Sequence, residues 1–161
     1  MRFQLIDRIL EVATGHKLLA VKNLTLAEEY LAEHFPTFPV MPGVLMLETL
    51  VQSAAWLLRI TDNFGYAIVA VREVKGLKFG TFMEPGRQMK LTVEVTGSYK
   101  PDAPLIGFKG NGEQDGNSVV NARFILERYN LAEKRPELSA VDQQLKQYYR
   151  SLYGLLRPQA A

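Results

Sequence analysis

The chain has 161 residues, a length that favours a single domain able to bury a substantial core. Its net charge of +2 and the lack of any run of like charges argue against nucleic acid as a partner. The absence of cysteine excludes disulfides, thiolate metal sites and a cysteine nucleophile, and two histidines are too few for a histidine-rich metal site. No metal or other cofactor is therefore expected.

The N-terminal segment MRFQLIDRILEV carries Asp7, Arg8 and Glu11 among its apolar residues and lacks the hydrophobic core of a signal peptide. Nowhere does the chain have the ~18 or more uninterrupted apolar residues expected of a membrane span. We therefore expect no membrane span and a cytoplasmic location.

The first quarter of the chain predicts a strand, a short helix and a stiff loop. Residues 17–26 alternate loosely between apolar and polar, as a strand does. Thr25 and Glu28 have the spacing of a capping box, which predicts a helix over residues 26–33. Three prolines, which cannot continue a helix, then predict an ordered loop: Pro36, Pro39 and Pro42.

Residues 43–60 predict a long helix, because this apolar stretch is too long for a strand and has no glycine or proline after Gly43. The rest of the chain up to residue 129 predicts consecutive antiparallel strands, with a hairpin turn in the segment NGEQDGN at 111–117. The predicted strands are residues 65–76, 88–99, 105–110 and 118–129. A helix that is apolar nearly all round needs cover, which a curved antiparallel sheet can supply.

A second helix is predicted to begin at Ser139, which with Asp142 resembles the start of a capping box. One face of this helix is apolar: Val141, Leu145, Tyr148, Tyr149, Leu152 and Leu156. We expect it to pack across the domain, although docking to a partner or support of an oligomer would explain the same pattern. The expected organisation is a domain at 1–130 with a helical extension at 131–161 packed upon it.

The long helix carries one narrow polar stripe within its apolar surface. Gln52 lies about 40° from Glu48 around the helix axis, and Arg59 about 20° from it. A buried carboxylate must be neutral, paired or hydrogen-bonded. A purely structural Glu48–Gln52 hydrogen bond, with Arg59 at a solvent-exposed end, would satisfy this requirement. His34, on the proline-stiffened loop just before the helix, instead suggests acid–base chemistry, whereas His16 is expected to be merely solvated.

The segment HFPTFPVMPGVLMLETLVQ, from His34 to Gln52, resembles the signature of β-hydroxyacyl-acyl carrier protein dehydratases of the FabZ type, approximately GHFPxxPxxPGVLxxEAxAQ. The matching residues are His34, Phe35, Pro36, Pro39, Pro42, Gly43, Val44, Leu45, Glu48 and Gln52. Weaker likeness extends over about residues 5–128 and leaves out the C-terminal helix. Related isomerase-dehydratases carry aspartate at the position of Glu48, so the resemblance favours the branch that only dehydrates.

This resemblance implies an α+β hotdog fold, in which an antiparallel sheet wraps a long central helix, here with an extra C-terminal helix. It also implies a homodimer, with three dimers often forming a hexamer. Each active site would lie at the dimer interface, with His34 from one subunit and Glu48 from the other. The substrate partner would be an acyl carrier protein bearing a 3-hydroxyacyl chain.

Dehydration of a (3R)-3-hydroxyacyl thioester to the trans-2-enoyl thioester needs a base and an acid. His34 is the candidate base for the Cα proton, and Glu48 the candidate acid for the departing hydroxyl. The N–H of Gly43, with Val44 beside it at the helix N-terminus, can stabilise the thioester oxygen. Three further residues are expected to support the site behind the reacting groups: Gln52, which would orient Glu48, Phe35 and Pro42.

Two positions depart from the family pattern. Glu33 stands where glycine is usual, so a second carboxylate could lie beside His34. The basic residues that follow the helix in relatives are reduced here to Lys78 in the segment GLKFGTFMEPG. Carrier docking would then rely on a weaker set of cations: Arg72, Lys75, Lys78 and Lys100.

Two alternatives stay open at this point: a non-catalytic module that binds acyl chains, and an acyl thioesterase. The first would have no need for both His34 and Glu48, and the second would not need the HFP loop. The sequence alone leaves open the acyl chain length, the choice between carrier protein and coenzyme A, the pathway, and the choice between dimer and hexamer.

Overall fold

The computed structural model describes residues 3–157. Its centre is a six-stranded antiparallel sheet that packs against one face of the long helix α1, as the sequence predicts. The strand order is β1-β2-β4-β5-β6-β3, so β1 and β3 form the two edges. The strands are β1 (Arg8–Ala13), β2 (Lys17–Asn23), β3 (Ile68–Phe79), β4 (Gln88–Val95), β5 (Leu105–Gln114) and β6 (Asn117–Tyr129). The α-helices are α1 (Gly43–Thr61) and α2 (Ser139–Leu156).

Helix α1 confirms the predicted helix to within one residue at its C-terminal end. It begins after Pro42, whose carbonyl accepts hydrogen bonds from the N–H groups of Leu45 and Met46. It ends where Asn63 and Phe64 take up positive φ angles of 48° and 58°. Length and composition alone would suit a membrane span, but 56% of that stretch is buried within the domain. This burial is what the core helix of a domain requires.

The sheet differs from the sequence prediction at several strand ends. β3 runs past Gly76, because an irregularity in its pairing with β6, between Lys75 and Lys78, accommodates the turn-forming glycine within the strand. β4 ends at Val95, four residues before the predicted end. The hairpin turn is confined to Asp115 and Gly116, with φ angles of 51° and 80°, and the flanking residues of NGEQDGN are paired in β5 and β6.

Both predicted capping boxes are wrong, because their acidic residues bind elsewhere. Residues 26–33 contain only a 3-10 helix, Glu29–Ala32, without a side-chain cap. Glu28 accepts instead a hydrogen bond of 2.5 Å from Lys22 Nζ. Asp142 does not cap α2 but accepts hydrogen bonds of 2.9 Å from the N–H groups of Leu131 and Ala132. It thereby fixes the connection from the sheet to α2.

Helix α2 packs by its tyrosines against the C-terminal half of α1. Tyr149 and Tyr153 contact Trp56 with ring centroids 5.8 and 6.2 Å away, and Tyr153 also contacts Phe64 at 6.0 Å. Trp56 is only 2% exposed as a result. These contacts hold α2 against α1, and the last residues of the 131–161 extension lie outside the described part of the chain.

Candidate active site

His34 lies on the exposed loop between the 3-10 helix and α1. The next residue, Phe35, has a positive φ of 50°, which a phenylalanine rarely adopts, and its carbonyl accepts a 2.8 Å hydrogen bond from the N–H of Phe38. The loop is also tied to the segment before β4, because Met41 N–H donates to the carbonyl of Met83 at 2.9 Å. His34 is therefore presented on a short segment fixed at both ends.

Gly43 is the first residue of α1, where helix N–H groups have no acceptor within the helix. The ring of Phe79, from the end of β3, lies against it. A Cβ added to Gly43 would be 2.9 Å from Phe79 Cζ, so a larger residue would displace this ring. Val44 beside it is 72% exposed. The predicted substrate-binding residues Gly43 and Val44 thus form an accessible, positively polarised helix end.

Glu48 lies about one turn further along α1 and is half-buried. It accepts a 3.0 Å hydrogen bond from Gln52 Nε2, as the predicted orienting role of Gln52 requires. Gln52 also joins the N-terminal segment to the helix: its Oε1 accepts from Leu5 N–H at 3.0 Å and its Nε2 donates to the carbonyl of Phe3. The orientation of Glu48 therefore depends on a network anchored in the backbone.

A cavity of about 360 Å³ lies between α1 and α2, and Glu48 is in its wall. The lining residues are Phe3, Gln4, Glu48, Val51, Gln52, Ala55, Trp56, Arg59, Val69, Leu145, Tyr148 and Tyr149. His34 is absent from this wall, and within the described chain no hydrogen bond or ion pair joins it to Glu48. A single chain thus brings together Glu48 and Gln52 but not the predicted base.

Arg59 is not at a solvent-exposed end, contrary to the structural interpretation of the polar stripe. It is 8% exposed, because α2 covers this end of α1, and its guanidinium lies 3.8 Å from the ring centroid of Tyr149. Burial lowers the pKa of Arg59, and Tyr149 offsets this effect in part. The sequence could not show this environment, because α2 is remote from α1 along the chain.

Glu33 and His16 are both exposed and in turns. Glu33 follows the last residue of the 3-10 helix, and in residues 3–157 it makes no ion pair with His34. His16 lies in the β1–β2 turn, as expected for a solvated residue.

The predicted docking cations do not form one patch. Arg72, Lys75 and Lys78 are exposed on β3, and Lys75 is paired with Glu73 at 3.0 Å. Lys100 lies in the β4–β5 connection, where its carbonyl accepts from Arg128, whereas Lys78 pairs with Asn121. Asn121 and Arg128 are seven positions apart along β6, which places Lys100 roughly 20 Å from Lys78.

Two cations that sequence reasoning missed lie beside Lys75 instead. In strand register, Lys75 is opposite Arg123, and Arg123 is opposite Lys109, so the three form a row across the outer face of the sheet. The row ends at Glu94, which is opposite Lys109 and pairs with it at 2.7 Å. Lys78 borders the same depression as Lys109 and Arg123. Strand alternation alone predicts which face of the sheet each residue lies on. It does not predict that the three residues lie side by side, because that depends on the pairing register of the strands.

Residues 1–123 match the family model described as the FabA-like domain. The dehydratase FabZ of Gluconacetobacter diazotrophicus, a 3-hydroxyacyl-(acyl-carrier-protein) dehydratase, is 38% identical over 124 residues, 76% of this chain and 75% of the relative. The FabZ of Oceanobacillus iheyensis is 36% identical over 123 residues, 76% of this chain and 85% of the relative. α2 lies wholly beyond the residues that the family model matches.

Two solved structures share the fold at low sequence identity. The dehydratase heterocomplex ApeI:P from Xenorhabdus doucetiae matches with a TM-score of 0.66 and 13% identity, over 84% of this chain and 90% of that one. The protein smu.793 from Streptococcus mutans, bound to acetyl CoA, matches with a TM-score of 0.56 and 12% identity, over 80% of this chain and 91% of that one. The predicted hotdog fold is thereby confirmed.

Proposed function

Because this chain belongs to the FabA-like family and is closely related to FabZ dehydratases, we propose that it dehydrates 3-hydroxyacyl thioesters carried by acyl carrier protein. The reaction is reversible and yields the trans-2-enoyl thioester and water, as a step of fatty acid or related lipid synthesis. The observation that carries this assignment is the Glu48–Gln52 pair, which holds a carboxylate in the wall of a cavity.

His34 removes the proton from the Cα of the substrate, and negative charge develops on the thioester oxygen. The N–H groups at the start of α1, at Gly43, stabilise that charge. The Cβ–O bond then breaks as Glu48 gives its proton to the leaving hydroxyl, which departs as water. Gln52 keeps the Glu48 carboxyl aimed at that oxygen through the 3.0 Å hydrogen bond.

A second copy of the chain completes the site. β3 is an edge strand with exposed apolar residues, among them Val71 at 47% and Phe79 at 52%, and an unpaired edge of this kind favours pairing with another strand. More exposed apolar side chains lie on the His34 loop, at the start of α1 and in the segment after β3: Phe35, Phe38, Val44 and Phe82. Pairing of two β3 edges would bury this surface and carry His34 of one subunit to Glu48 of the other.

The carrier protein docks through the cationic row formed by Lys75, Arg123 and Lys109, extended by Lys78. An acidic surface is attracted to such a row, and charges at the rim of an interface act chiefly on the rate of association. Replacing Arg123 and Lys109 by glutamate should raise KM for carrier-linked substrate and leave coenzyme A-linked substrate unaffected. An equal effect on both substrates would rule out this docking surface. We propose that the enzyme acts in the cytoplasm, with its carrier.

The assignment is tested by enoyl-thioester absorbance with 3-hydroxybutyryl carrier protein, alongside detection of free thiol. We expect enoyl product without thiol release. His34→Ala and Glu48→Gln should each lose about 10²–10⁴-fold in kcat. His16→Ala, at an exposed turn, is the matched control and should retain wild-type turnover. Thiol release would identify a thioesterase instead, and binding without turnover a non-catalytic acyl module.

A further inference from the structure

The cavity between α1 and α2 has a second polar feature besides Glu48, at the end covered by α2. Arg59 is in its wall and is 8% exposed. Among residues 3–157 no carboxylate lies within ion-pair distance of its guanidinium, and its Nε is buried without a hydrogen-bond partner. A buried cation of this kind is costly unless an anion or hydrogen-bond acceptor joins it.

The surroundings of Arg59 hold the guanidinium without neutralising it. Tyr149 from α2 lies 3.8 Å from the guanidinium carbon, measured to the ring centroid, and Trp56 lies at 5.7 Å. These rings fix the plane of the group through cation–π contact but accept no ordinary hydrogen bond from its edge. The guanidinium edge therefore keeps donor capacity for a ligand that enters the cavity.

The position of Arg59 relative to Glu48 suits the far end of a substrate. The two residues share one face of α1, and eleven residues separate their Cα atoms by roughly 16 Å along the helix axis. Between them α1 contributes four residues to the wall, of which only Gln52 carries an amide: Val51, Gln52, Ala55 and Trp56. An acyl chain reacting at Glu48 and running along this face would thus end near Arg59.

We propose that this cavity is the distal half of the acyl site, and that Arg59 binds a carboxylate at the far end of the acyl chain. This proposal rests on the dehydratase function above. It makes α2, which lies outside the residues matched by the family model, a wall of the substrate site. The preferred substrates are then 3-hydroxyacyl thioesters of dicarboxylic acids, with a length set by the fixed distance between Glu48 and Arg59.

The test compares 3-hydroxyacyl thioesters of matched length that end in a methyl, a hydroxyl or a carboxylate group, over a series of chain lengths. For the wild type, kcat/KM should favour the carboxylate-ended chain, with a maximum at one length. Arg59→Met should lose at least about 30-fold on that substrate, as expected when one partner of a buried charge pair is removed, and should reverse the preference. Arg59→Lys, which keeps the charge, should retain part of it.

Arg150→Met is the matched control, because Arg150 is an exposed arginine of α2 that stacks on Phe64 outside the cavity wall. It should leave the wild-type preference unchanged.

A wild-type enzyme that favours the methyl-ended chain at every length would overturn the proposal, as would an unaltered preference in Arg59→Met. Equal kcat/KM for hydroxyl-ended and carboxylate-ended chains would show that Arg59 does not select a negatively charged chain end. If Arg59→Met does not fold, the chain-end preferences of the wild type and of Arg59→Lys test the proposal instead. Absence of enoyl product with every chain of the series would instead refute dehydration itself.

Discussion

Two buried arginines lie near the C-terminal end of α1, and they have opposite surroundings. Arg128, on β6, is 1% exposed and donates hydrogen bonds to the carboxylate of Asp62, to the hydroxyl of Tyr99 at 2.5 Å and to the carbonyls of Lys100, Pro101 and Ala103. Arg59, on α1 itself, has aromatic neighbours and, within the described chain, no carboxylate partner. Asp62, three residues from Arg59 in sequence, pairs with Arg128 instead.

The difference separates a structural cation from one available to a ligand. Burial acts to lower the pKa of Arg128, but Tyr99 and Asp62 outweigh it and raise that pKa overall. For Arg59, burial lowers the pKa and only Tyr149 opposes it. Perturbed groups in a cavity are candidates for function, whereas fully bonded networks fix the fold. Arg128 joins the helix end to the sheet and the β4–β5 connection, and Arg59 lines the cavity.

The largest effect on stability is expected for Arg128→Met. The substitution leaves the carboxylate of Asp62 buried without its cation and removes hydrogen bonds to three carbonyls. Breaking a buried ion pair by removing one partner costs about 3–5 kcal/mol. Urea unfolding followed by circular dichroism should show this loss in the free energy of unfolding.

The double variant Arg128→Met with Asp62→Asn is the control for that prediction. It should be less destabilised than the sum of the two single variants, because neither buried charge then remains unpaired. Strict additivity would show that the pair is not a coupled unit, and the distinction between the two arginines would fail.

A smaller effect is expected for Tyr149→Leu, which removes the ring from both the guanidinium of Arg59 and the indole of Trp56. Cation–π and aromatic contacts of this kind contribute about 1–2 kcal/mol. Thermal unfolding and urea titration should report the loss. When Arg59 is already replaced by methionine, Tyr149→Leu should lower the free energy of unfolding by less. An equal loss in both backgrounds would show that the contact between the Arg59 guanidinium and the Tyr149 ring contributes nothing to stability.

The smallest effect on stability is expected for Arg59→Met, within about 1 kcal/mol of the wild type in either direction. Replacing an unpaired buried cation by an apolar side chain of similar length removes a desolvation cost as well as a stacking contact. The same urea titration measures it. A loss as large as that of Arg128→Met would make Arg59 a structural residue and remove the basis for a distal anion site.

Local sequence signals predicted the elements whose determinants are local. α1 was identified from an apolar stretch that has no helix breaker after Gly43, and the strands from their alternation. The candidate site was identified because His34, Gly43, Glu48 and Gln52 belong to one contiguous motif. The Glu48–Gln52 hydrogen bond follows from a spacing of four residues on a helix, and the structure contains it.

Features that depend on distant parts of the chain were not predicted. The spacing of Ser139 and Asp142 predicts a helix cap, but the Asp142 carboxylate binds the backbone N–H groups of Leu131 and Ala132, whose position depends on how the chain leaves β6. Helical periodicity predicts which face of α1 carries Arg59, but it does not predict that α2 covers this end of the helix and buries the side chain. Likewise, the row of Lys75, Arg123 and Lys109 exists only through the pairing of three strands.

The most direct test of the account is complementation between two inactive subunits. His34→Ala and Glu48→Gln proteins, each inactive alone, are mixed under conditions of subunit exchange, and heterodimers are verified by differential tags. If each site takes His34 from one chain and Glu48 from the other, a heterodimer has one intact site, and an equal mixture should regain about one quarter of wild-type turnover. Verified heterodimers without activity would contradict the shared site and the mechanism built on it.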